Sequence, residues 1–151
     1  IYVKIPITNS KGQKTSSLVN KLLANEIKCN VTAILTFDQV KEIYEISNFK
    51  TKLIISIFAG RIADTGVDPI PLMSKAINFC KNKKNIEILW ASTRELLNIF
   101  QADQINCQII TVPHDILNKM SLIGKDLSVV SLETVQMFLN DATKAGFKIN
   151  K

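Results

Sequence analysis

Lys4 stands between Val3 and Ile5 in the opening stretch IYVKIPIT, an apolar, β-branched run that alternates as a strand does. A lysine on a strand commonly runs its stem along the surface and leaves its ammonium in water. Held among apolar neighbours it has other chemistry, because desolvation favours the neutral amine, and a neutral amine attacks a carbonyl carbon to form a Schiff base. Other polar residues recur at matching places along the chain. Asn30 and Thr32 lie in NVTAILT, Ser56 and the pair Gly60-Arg61 close a third apolar run, and Ser92 with Arg94 close a fourth. An amine and two guanidinium groups at one end of one sheet suit a carbonyl compound that carries a phosphate. The arginines would grip the phosphate by forked, charge-assisted bonds, helped by backbone N–H groups and the hydroxyls of Ser56 and Ser92.

Such residues need a scaffold that brings strand ends together. Apolar runs with the marks of strands cover Ile1–Ile7, Asn30–Thr36, Lys52–Gly60, Ile86–Ser92 and Cys107–Pro113. Helical periodicity falls between them. Thr15–Asn25 places Leu18, Leu22 and Leu23 on one face, and Asp38–Ser47, Ile70–Lys81, Arg94–Gln101 and His114–Met120 follow the next strands in turn. The stretch RIADTGVDP reads as a loop, and a last helix is expected over Leu132–Lys144, with Ser131 as N-cap and Gly146 near its C-cap. Strict alternation of strand and helix predicts a parallel α/β sheet with right-handed crossovers. No glycine-rich phosphate loop follows the first strand, so a (β/α) barrel, or the later part of one, is expected in place of a doubly wound nucleotide fold.

With 151 residues, 46% of them hydrophobic, and mean hydropathy +0.14, the chain can bury one core. The net charge of +6 and pI near 9.3 fit an anionic partner. The densest basic run, Lys81 to Lys84, has no interleaved aromatics and reads as a solvated helix end, which favours a phosphorylated metabolite over nucleic acid. Cys29, Cys80, Cys107 and the lone His114 lack any zinc spacing. The cysteines read as small buried hydrophobes in a reducing compartment, and His114 as the start of a helix. No apolar run approaches the roughly 18 residues of a membrane span, so no membrane partner and a cytoplasmic location are expected.

Taken together, VKIPIT (Val3–Thr8), NVTAILTFDQ (Asn30–Gln39), SIFAGRIADTG (Ser56–Gly66), WASTR (Trp90–Arg94) and ITVPHDIL (Ile110–Leu117) resemble, in order and approximate spacing, the transaldolase family, which includes the fructose-6-phosphate aldolases. The resemblance runs up to about Leu117. It implies a (β/α)8 TIM barrel, of which this chain would supply strands 4 to 8 with strands 1 to 3 absent, so that residues 1–151 form the C-terminal portion of a single barrel domain. It implies that Lys4 matches the Schiff-base lysine, that Asn30 and Thr32 contact the sugar and place a catalytic water, and that Ser56, Arg61, Ser92 and Arg94 match the next two strand motifs. Of these, the arginines and Ser92 resemble phosphate ligands. Phe58 resembles the transaldolase branch, where the aldolase branch carries Tyr. Ile57, Ala59 and Thr93 depart mildly from the family pattern.

The expected activity is then transfer of a three-carbon dihydroxyacetone unit between sugar phosphates in the pentose phosphate pathway, with neither metal nor organic cofactor. Two alternatives stand beside it: a fructose-6-phosphate aldolase-like lyase, and a non-catalytic barrel fragment that keeps its lysine by descent. The family's acid–base aspartate and glutamate belong to the absent strands, and five strands leave two sheet edges open. The missing strands are expected from the same gene product or from another chain, and the final helix is expected to reach a neighbouring subunit of a homo-oligomer.

Overall fold

Val31, Ile55 and Ile88 are each at most 1% exposed, and they sit side by side because strand register aligns Ile5 with Val31, Val31 with Ile55, and Ile55 with Ile88. Side chains along a strand alternate between faces, so the residues next to these form a second row on the opposite face: Lys4, Asn30, Ile54 and Glu87. The computed structural model that gives this register describes residues 1–147. In it the chain divides into two compact units, one from Ile1 to Leu117 and a second from Asn118 onward.

The first unit holds a five-stranded, wholly parallel sheet: β1 (Val3–Pro6), β2 (Cys29–Ile34), β3 (Leu53–Ile57), β4 (Ile86–Trp90) and β5 (Ile109–Ile110), in the order in which they occur along the chain. Sequential order has a consequence. Every right-handed crossover leaves its helix on the same side, whereas a doubly wound sheet reverses its order and covers both sides. The helices are α1 (Ser16–Ala24), α2 (Phe37–Ile46), α3 (Ala59–Ala63), α4 (Ile70–Cys80), α5 (Leu97–Gln104) and α6 (His114–Leu117). Val19, Leu23, Val40, Ile43, Met73, Ala76 and Ala102, from α1, α2, α4 and α5, pack with the Ile5–Val31–Ile55–Ile88 row into one core. Each large aliphatic side chain buried there contributes about 1.5–3 kcal/mol. The other face carries only a small apolar cluster of Ile54, Leu89 and Ala91, with Tyr2, Phe58 and Ile109 against it. An all-parallel sheet with its helices on one side is an arc of a TIM-barrel-like wall.

Several element bounds differ from the sequence expectation for local reasons. Leu18 is half exposed, and the buried face of α1 is carried by Val19 and Leu23. The stretch after β3 is no simple loop: Ala59–Ala63 closes a short helix before the chain turns at Gly66, whose φ of +81° suits glycine. In the second unit, a 3₁₀ turn (Asn118–Leu122) leads to α7 (Leu127–Lys144), which begins five residues before the expected Leu132. Its N-cap is Asp126, whose carboxylate accepts from the N–H groups of Ser128 and Val129, so Ser131 lies inside the helix. Gly146, with φ +82°, follows the end of α7 as expected.

The basic run is the largest departure. Lys81 and Lys84 are exposed, but Lys83 is only 6% exposed. Its Nζ donates to the Tyr44 carbonyl at 2.7 Å, the Ser47 carbonyl at 2.8 Å and Ser47 Oγ at 2.9 Å. Carbonyls in the last turn of α2 lack the usual i+4 donor; the C-cap Ser47 bonds the Tyr44 carbonyl locally, and the lysine of a later loop adds a charged donor to the carbonyls of Tyr44 and Ser47.

Candidate functional site

Of the sequence-derived site residues, Lys4 and Asn30 lie second in β1 and β2, Thr32 and Ser56 lie in the carboxyl halves of β2 and β3, and Phe58 follows β3 directly. Lys4 and Asn30 are paired across β1 and β2, Pro6 is paired with Thr32, and Ser56 lies on the same face of β3. Lys4, Asn30, Thr32, Ser56, Phe58 and Ser92 line one cavity of about 220 Å³, closed on its other side by Leu89, Ala91 and Thr111. Thr111, at the end of β5, was not singled out from the sequence. Its only signal there is a polar residue following the apolar CQII.

The cavity wall has internal order. Ser56, 2% exposed, donates its hydroxyl to Asn30 Oδ1 at 2.6 Å, so the amide group of Asn30 keeps its N–H donors for other partners. Thr32 is 6% exposed, and its Oγ1 has no hydrogen-bond partner among the described residues. A buried hydroxyl on a cavity wall calls for a polar partner within the cavity. Thr32 shares the cavity face with Asn30, two residues before it, and a β-bulge follows. Between Val31 and Ile34 the β2–β3 register shifts, and Ala33 takes φ +61°, so that Val31 and Ile34 both face the helical core while Thr32 faces the cavity. Ser92, just past β4, also holds a left-handed backbone, with φ +65°. Non-glycine residues in that region cluster at sites where the surrounding structure enforces them.

Lys4 is exposed, on the edge strand β1. The apolar enclosure suggested by Val3 and Ile5 is not supplied by these five strands. Val3 is itself 43% exposed, and Ile5 turns to the helical core.

The two arginines are placed differently from one another. Arg61, exposed in α3, lies over the ring of Phe58 with its guanidinium carbon 5.7 Å from the centroid, at the rim of the cavity. Arg94 turns to Asp64 and binds it in the forked manner, Nε to Oδ1 at 3.1 Å and Nη2 to Oδ2. The guanidinium holds the Asp64 carboxyl below the usual carboxylate range, with Arg61 adding to the effect. Arg94 lines a separate cavity, with Gly60, Trp90 and Gln101. The positive charge of the chain is concentrated elsewhere. Lys28, Lys50, Lys52, Lys81 and Lys84 are all exposed in the loops that enter β2, β3 and β4, at the end of the sheet away from Ser92 and Arg61.

An edge lysine, an Asn–Ser pair and an orphan threonine hydroxyl at strand ends form a recognisable arrangement, and a sequence model of the transaldolase/fructose-6-phosphate aldolase family matches residues 1–151. The chain belongs to that family. Among relatives, a protein named "Probable transaldolase" from Thermoanaerobacter sp. (strain X514) is 31% identical over 150 residues, covering 99% of this chain and 63% of the relative. A "Probable transaldolase" of Caldicellulosiruptor saccharolyticus is 30% identical over 123 residues, covering 80% of this chain and 53% of its own length. A third, from Nitrosopumilus maritimus, is 28% identical over 146 residues, with 95% and 60% covered. The chain thus spans between half and two thirds of the relatives it matches.

For a transaldolase/fructose-6-phosphate aldolase family member the five-stranded parallel sheet is a partial TIM-barrel-like wall. No helix among the described residues is long and apolar enough to cross a membrane. Among the described residues, the lining of the Lys4 cavity carries no carboxylate.

Proposed function

We propose that Lys4 is the Schiff-base nucleophile of a dihydroxyacetone transferase, with Asn30, Thr32 and Ser56 as the polar wall that handles the sugar and a water molecule. The observation that supports it most is the shared cavity. One amine, one amide with free donors and one unpartnered hydroxyl face the same 220 Å³ space. In the proposed sequence the neutral amine adds to C2 of a ketose phosphate and water leaves, giving an iminium. The C3–C4 bond then breaks, its electron pair moving into the iminium to form an enamine, while the C4 hydroxyl gives its proton to a carboxylate supplied by the further strands inferred below and becomes an aldehyde. The enamine waits for an acceptor aldehyde. Asn30 and Thr32 would contact the sugar and position the water that carries the protons of iminium formation and hydrolysis. Arg61 at the rim and, on release from Asp64, Arg94 would hold the phosphate. Sugar phosphates of the pentose phosphate pathway are the expected substrates.

The test is intact-mass measurement after incubation with fructose 6-phosphate and sodium borohydride. A trapped three-carbon adduct is expected, and Lys4→Ala should remove it entirely. The experiment is run on this chain and on the longest natural form, because we infer that three further strands, from the same gene product or another chain, complete the wall and enclose Lys4. An adduct on the longer form alone fits that reading. Its absence on both sinks the proposed chemistry for this sugar. Turnover only in the presence of an acceptor aldehyde separates transfer from simple aldol cleavage, and Phe58 at the cavity favours transfer.

We infer further that the protein assembles from copies of this chain through α7. Leu132, Val135 and Leu139 lie on one face of that helix at spacings of three and four, each more than half exposed. Sedimentation should give a mass of at least two copies, and Val135→Glu should shift it toward the single chain. A monomeric wild-type protein at micromolar concentration would exclude this assembly.

A further inference from the structure

Asp64 caps the end of α3, and its carboxylate accepts two bonds from the Arg94 guanidinium, Nε to Oδ1 at 3.1 Å and Nη2 to Oδ2. Arg61 lies three residues earlier on the same helical turn, where side chains are neighbours, and its charge acts on the same carboxylate. One carboxylate thus meets both guanidinium groups that the proposed reaction needs for phosphate. A phosphate asks for the same forked donors.

The ion pair decides where Arg94 goes. Ser92, two residues before it, lines the Lys4 cavity, whereas Arg94, bound to Asp64, lines the separate cavity with Gly60, Trp90 and Gln101. The backbone around the pair is held in place. Gly60 approaches the Ser92 carbonyl too closely to admit a methyl group, and the Arg94 N–H donates to Asn98 Oδ1 at 2.9 Å. Freedom remains in the two side chains, which are 46% exposed for Arg94 and 51% for Asp64. An ion pair this open to water contributes little, so a competing anion takes it apart at a cost of no more than about fivefold in affinity.

Transfer chemistry gives such a competitor a use. Once the C3–C4 bond has broken, the three-carbon unit stays on Lys4 while one aldehyde phosphate leaves and a second takes its place. Two phosphorylated compounds must then pass through one phosphate site in each turnover, and too firm a hold on the first delays the second.

We propose that Asp64 is an internal competitor for phosphate: it takes Arg94 back as the aldehyde phosphate departs, and so limits how tightly phosphorylated ligands are held. The inference rests on the phosphate role proposed for Arg61 and Arg94. Asp64 is accordingly a positioning residue, which acts through Arg94.

The experiment is calorimetric titration of the longest natural form with inorganic phosphate, which has no carbonyl for Lys4 to attack. Asp64→Asn, close to the native side chain in shape, is expected to bind phosphate about fivefold more tightly than wild type. In an Arg94→Gln protein the same Asp64→Asn change should alter Kd by less than about twofold, because the arginine it would release is missing. Steady-state kinetics adds a second readout: Asp64→Asn should lower KM for fructose 6-phosphate by a similar factor without raising kcat. Asp64→Ala serves if circular dichroism shows Asp64→Asn to be misfolded. Phosphate binding that is unchanged or weaker in Asp64→Asn overturns the proposal, weaker binding meaning that the carboxylate presents Arg94 to the ligand. An equal gain with and without Arg94 also overturns it, since loss of a nearby negative charge then accounts for the whole effect. So does the absence of phosphate binding in wild type and variants alike. Failure of the Lys4 reading looks different: no borohydride adduct forms, while Asp64→Asn still tightens phosphate binding.

Discussion

Gly60→Ala is expected to destabilise the protein by ~4 kcal/mol or more and to disorder the ends of β3 and β4 together. A methyl group at that position would lie 1.6 Å from the carbonyl oxygen of Ser92 and 2.7 Å from its carbon, with Arg94 Cγ at 3.1 Å. The first two atoms are backbone, so no rotamer change relieves the clash. Gly60 also donates its N–H to the Ala91 carbonyl at 3.3 Å, which fastens the start of α3 directly onto the end of β4. Helix propensity works in the opposite direction, since alanine inside a helix is better than glycine by about 1 kcal/mol. The clash outweighs it, because overpacking that must displace main chain exceeds the usual 1–3 kcal/mol of side-chain crowding. Urea unfolding checks this. A Gly60→Ala protein within about 1 kcal/mol of wild type would mean that α3 and the Ser92 loop do not approach as described. The same contact explains how the chain sets its candidate phosphate groups: Arg61 follows Gly60, Arg94 follows Ser92 by two residues, and Asp64 one turn on binds Arg94.

Much of this was legible in the residues. Alternation of β-branched runs with helical periodicity is a strong signal where strands are buried on both faces, and it located β1 to β4 within a few residues. It also placed Asn30, Thr32, Ser56 and Ser92 at strand ends, and those side chains share a cavity with Lys4 and Phe58. The parts that were not legible depend on long-range contacts. The bulge at Ala33 shows in no local pattern, since NVTAILT reads as an uninterrupted strand, and only pairing with β3 reveals the extra residue. Arg94 and Asp64 are 30 positions apart, and nothing in either segment announces their pairing. Asp126 displaced Ser131 as a cap because an extra turn of helix, SVVS, is apolar enough to continue the α7 face. The apolar setting read into Lys4 from Val3 and Ile5 failed to appear because residues adjacent in a strand face opposite sides, and the neighbours that enclose a strand residue come from other strands.

Lys83 carries the other large expected effect. The sequence makes it one of three lysines in KNKK, yet the fold draws it under α2, where it bridges two carbonyls and the Ser47 hydroxyl and lies 4.2 Å from the Tyr44 ring centroid. Lys83→Met keeps much of the stem's volume and removes the charged donor. The Ser47 carbonyl and hydroxyl oxygens then lose the Lys83 donor, while the Tyr44 carbonyl keeps the Ser47 hydroxyl and N–H. A hydrogen bond from a charged group contributes about 1.5–3 kcal/mol, so a destabilisation of about 2–4 kcal/mol is expected at neutral pH. Lys81→Met and Lys84→Met, at exposed positions of the same run, should each change stability by less than about 0.5 kcal/mol. The pH dependence adds a second readout. Desolvation lowers the Lys83 pKa below the usual 10.5, opposed in part by Cys80. Between the folded and unfolded values the unfolded chain binds more protons than the native one, so this lysine's contribution to stability rises as pH increases toward 10.5 and falls back as pH drops through the folded value. The gap in unfolding free energy between wild type and Lys83→Met should therefore widen on moving from neutral pH toward 10.5. A gap that narrows over that range would mean the native fold favours the charged amine, through its three oxygen partners, more than burial disfavours it.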